Sequence, residues 1–173
     1  MNLRNWRPTL PSTMRWGAVI GLIAVVVTVW YFTRRDAWDV IQATPEFTAY
    51  RINGQWEGEE RERFEFLQLW PILEAKPVAV GPLSERIRSV LTSPRSFGGD
   101  PAECFWPGMG FRFEEDGSAV VVLICLSCSQ AYFYREGEQV RTEVLSGKGH
   151  ADLLAIYQEL FPAAATEKDA NAK

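Results

Sequence analysis

The sequence predicts an α+β fold: an N-terminal transmembrane helix followed by a small antiparallel sheet domain with two helices. Three observations predict it. An uncharged apolar run stands near the N-terminus, two pairs of strand-like segments meet at Asp-Gly and Glu-Gly turns, and helical periodicity is confined to two separate stretches. The chain has 173 residues, 47% of them hydrophobic and 23% charged, a composition that suits one globular core.

Residues 1–15 read as an N-terminal cytoplasmic segment and residues 16–33 as the transmembrane helix. Between Arg15 on one side and Arg34 with Arg35 on the other, no charge interrupts the run from Trp16 to Phe32. At about 1.5 Å per residue it spans roughly 26 Å, enough for a hydrocarbon core with little tilt. Trp16, Trp30 and Tyr31 then fall at the two interfaces, where indole and phenol rings are favoured. The bulky Trp30, Tyr31 and Phe32 argue against a cleaved signal peptide, whose peptidase needs small residues. Arg4, Arg7 and Arg15 precede the span and only Arg34 and Arg35 follow it, so the positive-inside bias places the C-terminal domain outside the cytoplasm. The expected partners are the lipid bilayer and a second protein.

Residues 34–46 read as a linker or short helix ended by Pro45, and residues 47–162 as the α+β domain. Phe47 to Ile52 alternates and runs into an Asn53-Gly54 turn, a strand signal. The charge run Glu57 to Arg63 reads as a solvated loop rather than paired catalytic carboxylates. An apolar stretch from Phe64 to Trp70 ends at Pro71, and Ile72 to Val80 is a further strand. Ser84 is placed to cap a helix whose inner face holds Ile87, Val90 and Leu91, stopped by Pro94. Residues 93–101 form a Ser-, Gly- and Pro-rich loop. Phe111 to Phe113 and Ala119 to Leu126 flank an Asp116-Gly117 turn, and Ala131 to Arg135 pairs with Val140 to Leu145 across Glu136-Gly137. The last helix runs from about Gly149 to Phe161 with an apolar stripe, and residues 163–173 read as a disordered tail.

The three cysteines are Cys104, Cys125 and Cys128. A turn over Glu115 to Gly117 sets Glu114 opposite Ser118, and the same register sets Cys104 opposite Cys128 at a separation near disulfide range. The expected pair is therefore a structural Cys104–Cys128 disulfide with Cys125 a buried thiol, as suits an exported domain. Two alternatives stay open. One is a bond within Cys125-Leu126-Ser127-Cys128, redox-active or not; the other is a zinc site of Cys104, Cys125, Cys128 and His150. Otherwise His150 simply opens the last helix.

Cys104-x-x-Pro107-x-x-Gly110 followed by Ile124-Cys125-x-x-Cys128 resembles a signature of bacterial exported or membrane-anchored proteins of no established activity. Gly108, Met109 and Leu126 depart from its usual basic and aromatic residues. The resemblance implies a bacterial exported setting and the grouping of the three cysteines; together with the apolar run, the expected location is the bacterial inner membrane, single-pass with a periplasmic domain. The resemblance implies no chemistry.

Several classes are disfavoured. A net charge of -4 argues against nucleic acid, which needs clustered Lys and Arg. One histidine leaves little scope for a hydrolase triad, and Gly147-Lys148-Gly149 lacks phosphate-loop spacing. The expected function is a non-enzymatic protein-interaction or accessory domain without cofactor, with Phe105, Trp106, Pro107 and Met109 as a possible contact loop; the alternative is a thiol redox or zinc-binding domain.

Overall fold

Two hairpin turns organise the sheet. Asp116 and Gly117 have φ of 49° and 77°, and Glu136 and Gly137 have φ of 52° and 89°. Consecutive positive φ values define the tight two-residue turn whose twist matches that of paired strands. The computed structural model describes residues 37–56, 63–100 and 102–162. Within them β1 (Phe47–Ile52), β2 (Phe66–Leu67), β3 (Trp70–Val78), β4 (Met109–Glu115), β5 (Ser118–Cys125), β6 (Gln130–Arg135) and β7 (Glu138–Val144) form one sheet in the order β2-β3-β1-β4-β5-β6-β7. Every neighbouring pair is antiparallel.

Three helices, not two, accompany the sheet: α1 (Ala37–Ala43), α2 (Pro82–Thr92) and α3 (Gly147–Leu160). They share one core with the first face of the sheet. Phe47, Phe111, Phe113, Val122, Ile124 and Phe133 point into it from the strands. Ile41 of α1, Ile87 and Leu91 of α2, and Leu153 and Ile156 of α3 meet them, all fully buried. The core thus begins ahead of Phe47, within the stretch expected to be a linker. Helix α1 has too few residues to hold itself together, and its burial is what stabilises it. Arg88 of α2 donates to the carbonyl of Thr44 at 2.8 Å, and the Arg141 guanidinium lies 4.2 Å from the Trp38 ring.

The expected transmembrane helix has no counterpart among the described residues. Among the described residues no helix is long and apolar enough to cross a membrane; the longest, α3, has 14 residues against the roughly 20 that a bilayer core requires. Residues 16–33, with Trp16, Trp30 and Tyr31 and the flanking Arg15, Arg34 and Arg35, lie outside the described residues, as do segment 1–15 and tail 163–173. For the described residues the fold class is corrected accordingly to a seven-stranded antiparallel sheet with three helices, none of them long and apolar enough to cross a membrane.

Two further differences have local causes. Helix α2 starts from Gly81 rather than Ser84, because Pro82 takes the first helical position, where its missing N–H costs nothing. Ser84 Oγ instead bonds both backbone groups of Gly81, at 3.1 and 2.9 Å. Pro71 does not end a strand but lies in β3, opposite Phe66. Leu67 and Trp70 close the short β2–β3 hairpin, with Gln68 at φ 58° in its turn.

The second face of the sheet carries Ile52, Leu67, Val121 and Leu123, with Tyr50, Trp70, Ile72 and Tyr134 partly exposed around them. Burial, and then the charge of neighbouring Tyr132, raise the Tyr134 phenol above its ordinary value near 10. The folded state therefore keeps a proton that the unfolded chain loses, so stability falls as pH climbs through and beyond about 10. Tyr134→Phe is expected to flatten that decline, read as urea midpoints at pH 9 and pH 10.5.

Candidate functional site

The apolar run Val120 to Ile124 forms the inner part of β5, between β4 and β6, and alternation sends its odd-numbered residues to the second face. Cys125 is the last residue of this strand, directly opposite Gln130. Its side chain therefore shares the second face with Gln130, Leu123 and Tyr132. Beyond it Leu126, Ser127, Cys128 and Ser129 turn the chain into β6, with Ser129 at φ 51°.

Within this turn Cys125 and Cys128 are joined by a disulfide, their Cα atoms 5.4 Å apart. Cys104 is free and exposed. The expected Cys104–Cys128 bridge is thus replaced by the shorter alternative, for two physical reasons. The first hairpin turn holds two residues, not three, so Glu115 faces Ser118 and Met109 faces Ile124; a shift of one residue changes every opposed pair. In addition β4 begins only at Met109, so Cys104 is not in the ladder. In a straight strand Cys125 and Cys128 would point to opposite faces, but β5 ends at Cys125 and the turn folds the second sulfur back onto the first.

Cys125 Sγ is held by donors. The Cys128 backbone N–H donates to it at 3.2 Å, and Ser127 Oγ lies 3.3 Å away. A disulfide sulfur carries no hydrogen, so the hydroxyl is the donor. Cys125 is 0% exposed and Cys128 6%, so of the two residues only Cys128 retains any exposure.

His150 arrives from the first turn of α3. Its Nε2 donates to the Leu126 carbonyl at 2.9 Å, between the two cysteines. The sole histidine therefore supports the turn from behind and does not merely open the helix. Its neighbour Gly149 accepts no side chain, because an added Cβ would stand 2.1 Å from the Ser96 carbonyl oxygen.

The zinc alternative requires Cys104, Cys125, Cys128 and His150 to converge. Among the described residues no group of three or more His, Cys, Asp or Glu is arranged to hold a metal ion. Cys125 and Cys128 are bonded to each other, and His150 is turned to a carbonyl.

The chain ahead of β4 lies across this end of the second face. Gln130 Nε2 donates to the Ala102 carbonyl at 2.7 Å, and the Phe105 ring stacks on Tyr132 with centroids 3.6 Å apart. Pro107 and Met109 are buried, whereas Trp106 is 52% exposed. Most of the expected contact loop is therefore packing, with Trp106 alone presented outward. Asn53-Gly54 supports it from below: a Cβ on Gly54 would stand 2.5 Å from the Pro107 carbonyl oxygen. Gln130 escaped the sequence reading because a polar residue opening a strand resembles any other; only the opposition to Cys125 gives it meaning.

One further concavity, about 210 Å³, is lined by Glu46, Phe47, Thr48, Tyr50, Arg112 and Glu114. Its Arg112 and Glu114 pair with each other at 2.6 Å, and it holds none of the residues above. Comparison of the chain with protein-family models, with curated proteins and with solved structures finds no match, so what this domain does has to be argued from the disulfide and its surroundings.

Proposed function

We propose that the domain performs thiol–disulfide exchange at Cys125–Cys128, on the thiols of other proteins in an oxidising compartment such as the periplasm. The observation that carries this reading is the pair of hydrogen bonds onto Cys125 Sγ. An incoming thiolate attacks Cys128 Sγ, forming a new S–S bond. The Cys125–Cys128 bond breaks, and its electron pair stays on Cys125 Sγ as a thiolate. Donors aimed at a sulfur favour its charged form, and a better-stabilised leaving thiolate departs faster. Burial of Cys125 works against the charge, which is why the donors matter.

The position of the bond supports the same reading. Cys125 and Cys128 are three residues apart, and Cys125 is already paired with Gln130 by the sheet. Closing so short a loop restrains the unfolded chain less than a bridge from Cys104 would. The partly exposed Tyr50, Trp70, Ile72 and Tyr134 give a protein substrate an apolar surface on the same face. A non-enzymatic contact domain would use that surface too; the two readings part on whether the disulfide cycles.

The test is equilibration of the folded protein in glutathione redox buffers, with trapped thiols counted by mass. A reversible two-electron transition at Cys125 and Cys128, without loss of native circular dichroism, is the expected result. Ser127→Ala, which removes one donor, is expected to slow reduction by glutathione about 3- to 10-fold, the equivalent of about 1 kcal/mol. A pair that resists reduction until the domain unfolds would overturn the reading in favour of a structural bridge.

A further inference from the structure

The free thiol of Cys104 lies in the segment that crosses the disulfide's end of the sheet. Two residues before it the Ala102 carbonyl accepts from Gln130, and one residue after it Phe105 stacks on Tyr132. Gln130 and Tyr132 are the cross-strand partners of Cys125 and Leu123. The backbone on both sides of Cys104 is therefore tied to the patch of sheet that carries Cys125, while the thiol itself is exposed and free.

A second observation points to the same place. Gln130 is 3% exposed, and its Oε1 has no hydrogen-bond partner among the described residues, although its Nε2 is satisfied by Ala102. A buried acceptor without a donor costs roughly 1–3 kcal/mol. In the present state Cys125, directly opposite, has no hydrogen to offer because its sulfur is in the disulfide. Were Cys125 a thiol, its S–H would be a donor at the strand position directly opposite Gln130.

We infer that Cys104 is the internal exchange partner of this centre, converting the Cys125–Cys128 disulfide into a Cys104–Cys128 disulfide with Cys125 released as a thiol. The inference rests on the thiol–disulfide reading and deepens it. The Cys104 thiol loses its proton to solvent and the thiolate attacks Cys128 Sγ. The Cys104–Cys128 bond forms as the Cys125–Cys128 bond breaks, and the electron pair passes to Cys125 Sγ, which takes up a proton from solvent; the resulting S–H donates a hydrogen bond to Gln130 Oε1. One disulfide is exchanged for another, so no oxidant or reductant is consumed. When Cys128 is joined instead to a substrate, the same attack by Cys104 frees that substrate. Exposure suits Cys104 to this task, as burial suits Cys125 to leaving.

The experiment uses the full chain and two variants. Cys125→Ser, oxidised with glutathione disulfide and digested without reduction, is expected to yield a Cys104–Cys128 linked peptide as the main product. Glutathione on Cys104 and Cys128 separately, with no linked peptide, would overturn the inference. Because Cys125 is buried and its variant can misfold, Cys104→Ser gives an independent readout. Its mixed disulfide between glutathione and Cys128 is expected to persist about 10-fold longer than in the unaltered protein. Unchanged lifetimes, with Cys125–Cys128 still cycling, would refute the role of Cys104 and leave the proposed function standing. Failure of Cys125–Cys128 to cycle in the unaltered protein would remove both.

Discussion

Phe111→Ala is expected to destabilise the domain by about 3–5 kcal/mol, a loss comparable to the whole stability of a domain at the lower end of the usual range. Phe111 is fully buried on β4, between Ala49 of β1 and Val122 of β5. Its ring meets Phe47 edge-on at 6.0 Å and Phe113 at 6.3 Å, so truncation removes aromatic contact as well as apolar area. Small Ala49 opposite cannot fill the space, and the ladders on both sides of β4 prevent the sheet from collapsing into it. The cavity term therefore adds nearly in full to the transfer term. Leu69→Ala is the control: Leu69 is 70% exposed in the β2–β3 turn and its loss is expected to change stability by less than about 0.5 kcal/mol. Urea midpoints with an unchanged slope for both variants check the pair.

The strands around Phe111 were the most legible part of the chain, for a physical reason. Asp116-Gly117 and Glu136-Gly137 are local signals whose conformation the two residues themselves determine, and both turns form where the sequence places them. What was not legible was their length. A three-residue turn and a two-residue turn look alike at Glu115, yet the difference moves Cys104 out of register with Cys128, and the expected disulfide goes with it. Residues 34–46 were left open between a linker and a short helix because Ala37 to Ala43 is too short for periodicity to show; Val40 and Ile41 become core only when the sheet beneath them exists. Pro71 was read by its usual role as a breaker, whereas Pro77 was taken within the strand Ile72 to Val80. In the fold β3 is flanked by β2 only at Trp70 and Pro71, so beyond that point it has an open edge where a proline loses no ladder bond. The site was half legible. The three cysteines and His150 were singled out and Gln130 was not; their grouping depends on which side of the sheet the 102–108 segment crosses and on where the last helix docks, and both are settled by packing between distant residues.

That docking makes Gly149→Ala the second large effect, with a sign opposite to helix propensity. Within a helix, alanine is ordinarily better than glycine by about 1 kcal/mol. At Gly149 the added methyl would stand 2.1 Å from the Ser96 carbonyl oxygen and 2.8 Å from its carbonyl carbon. The obstacle is backbone, which cannot rotate aside as a side-chain end can. Ser96 is itself fixed: its carbonyl accepts from Ser146 N–H at 2.9 Å, while the Ser146 hydroxyl donates to the Arg95 carbonyl at 2.8 Å and accepts from Gly149 N–H at 3.1 Å. Alanine must push α3 away from the Pro94–Ser96 turn and break this cap, a loss expected to reach about 3 kcal/mol. Gly147→Ala separates crowding from propensity, because nothing lies within 4 Å of a Cβ there; it is expected to leave stability unchanged or raise it by up to about 1 kcal/mol. The displacement also reaches the Cys125–Cys128 disulfide, since His150 follows Gly149 and its bond to the Leu126 carbonyl depends on where α3 sits. Gly149→Ala should therefore make the Cys125–Cys128 turn more readily reduced, by a factor Gly147→Ala does not share. Thermal unfolding and the rate of reduction by glutathione, measured on both variants, test the two halves of the argument separately: equal melting temperatures would remove the steric account, and equal reduction rates would remove the link from α3 to the disulfide.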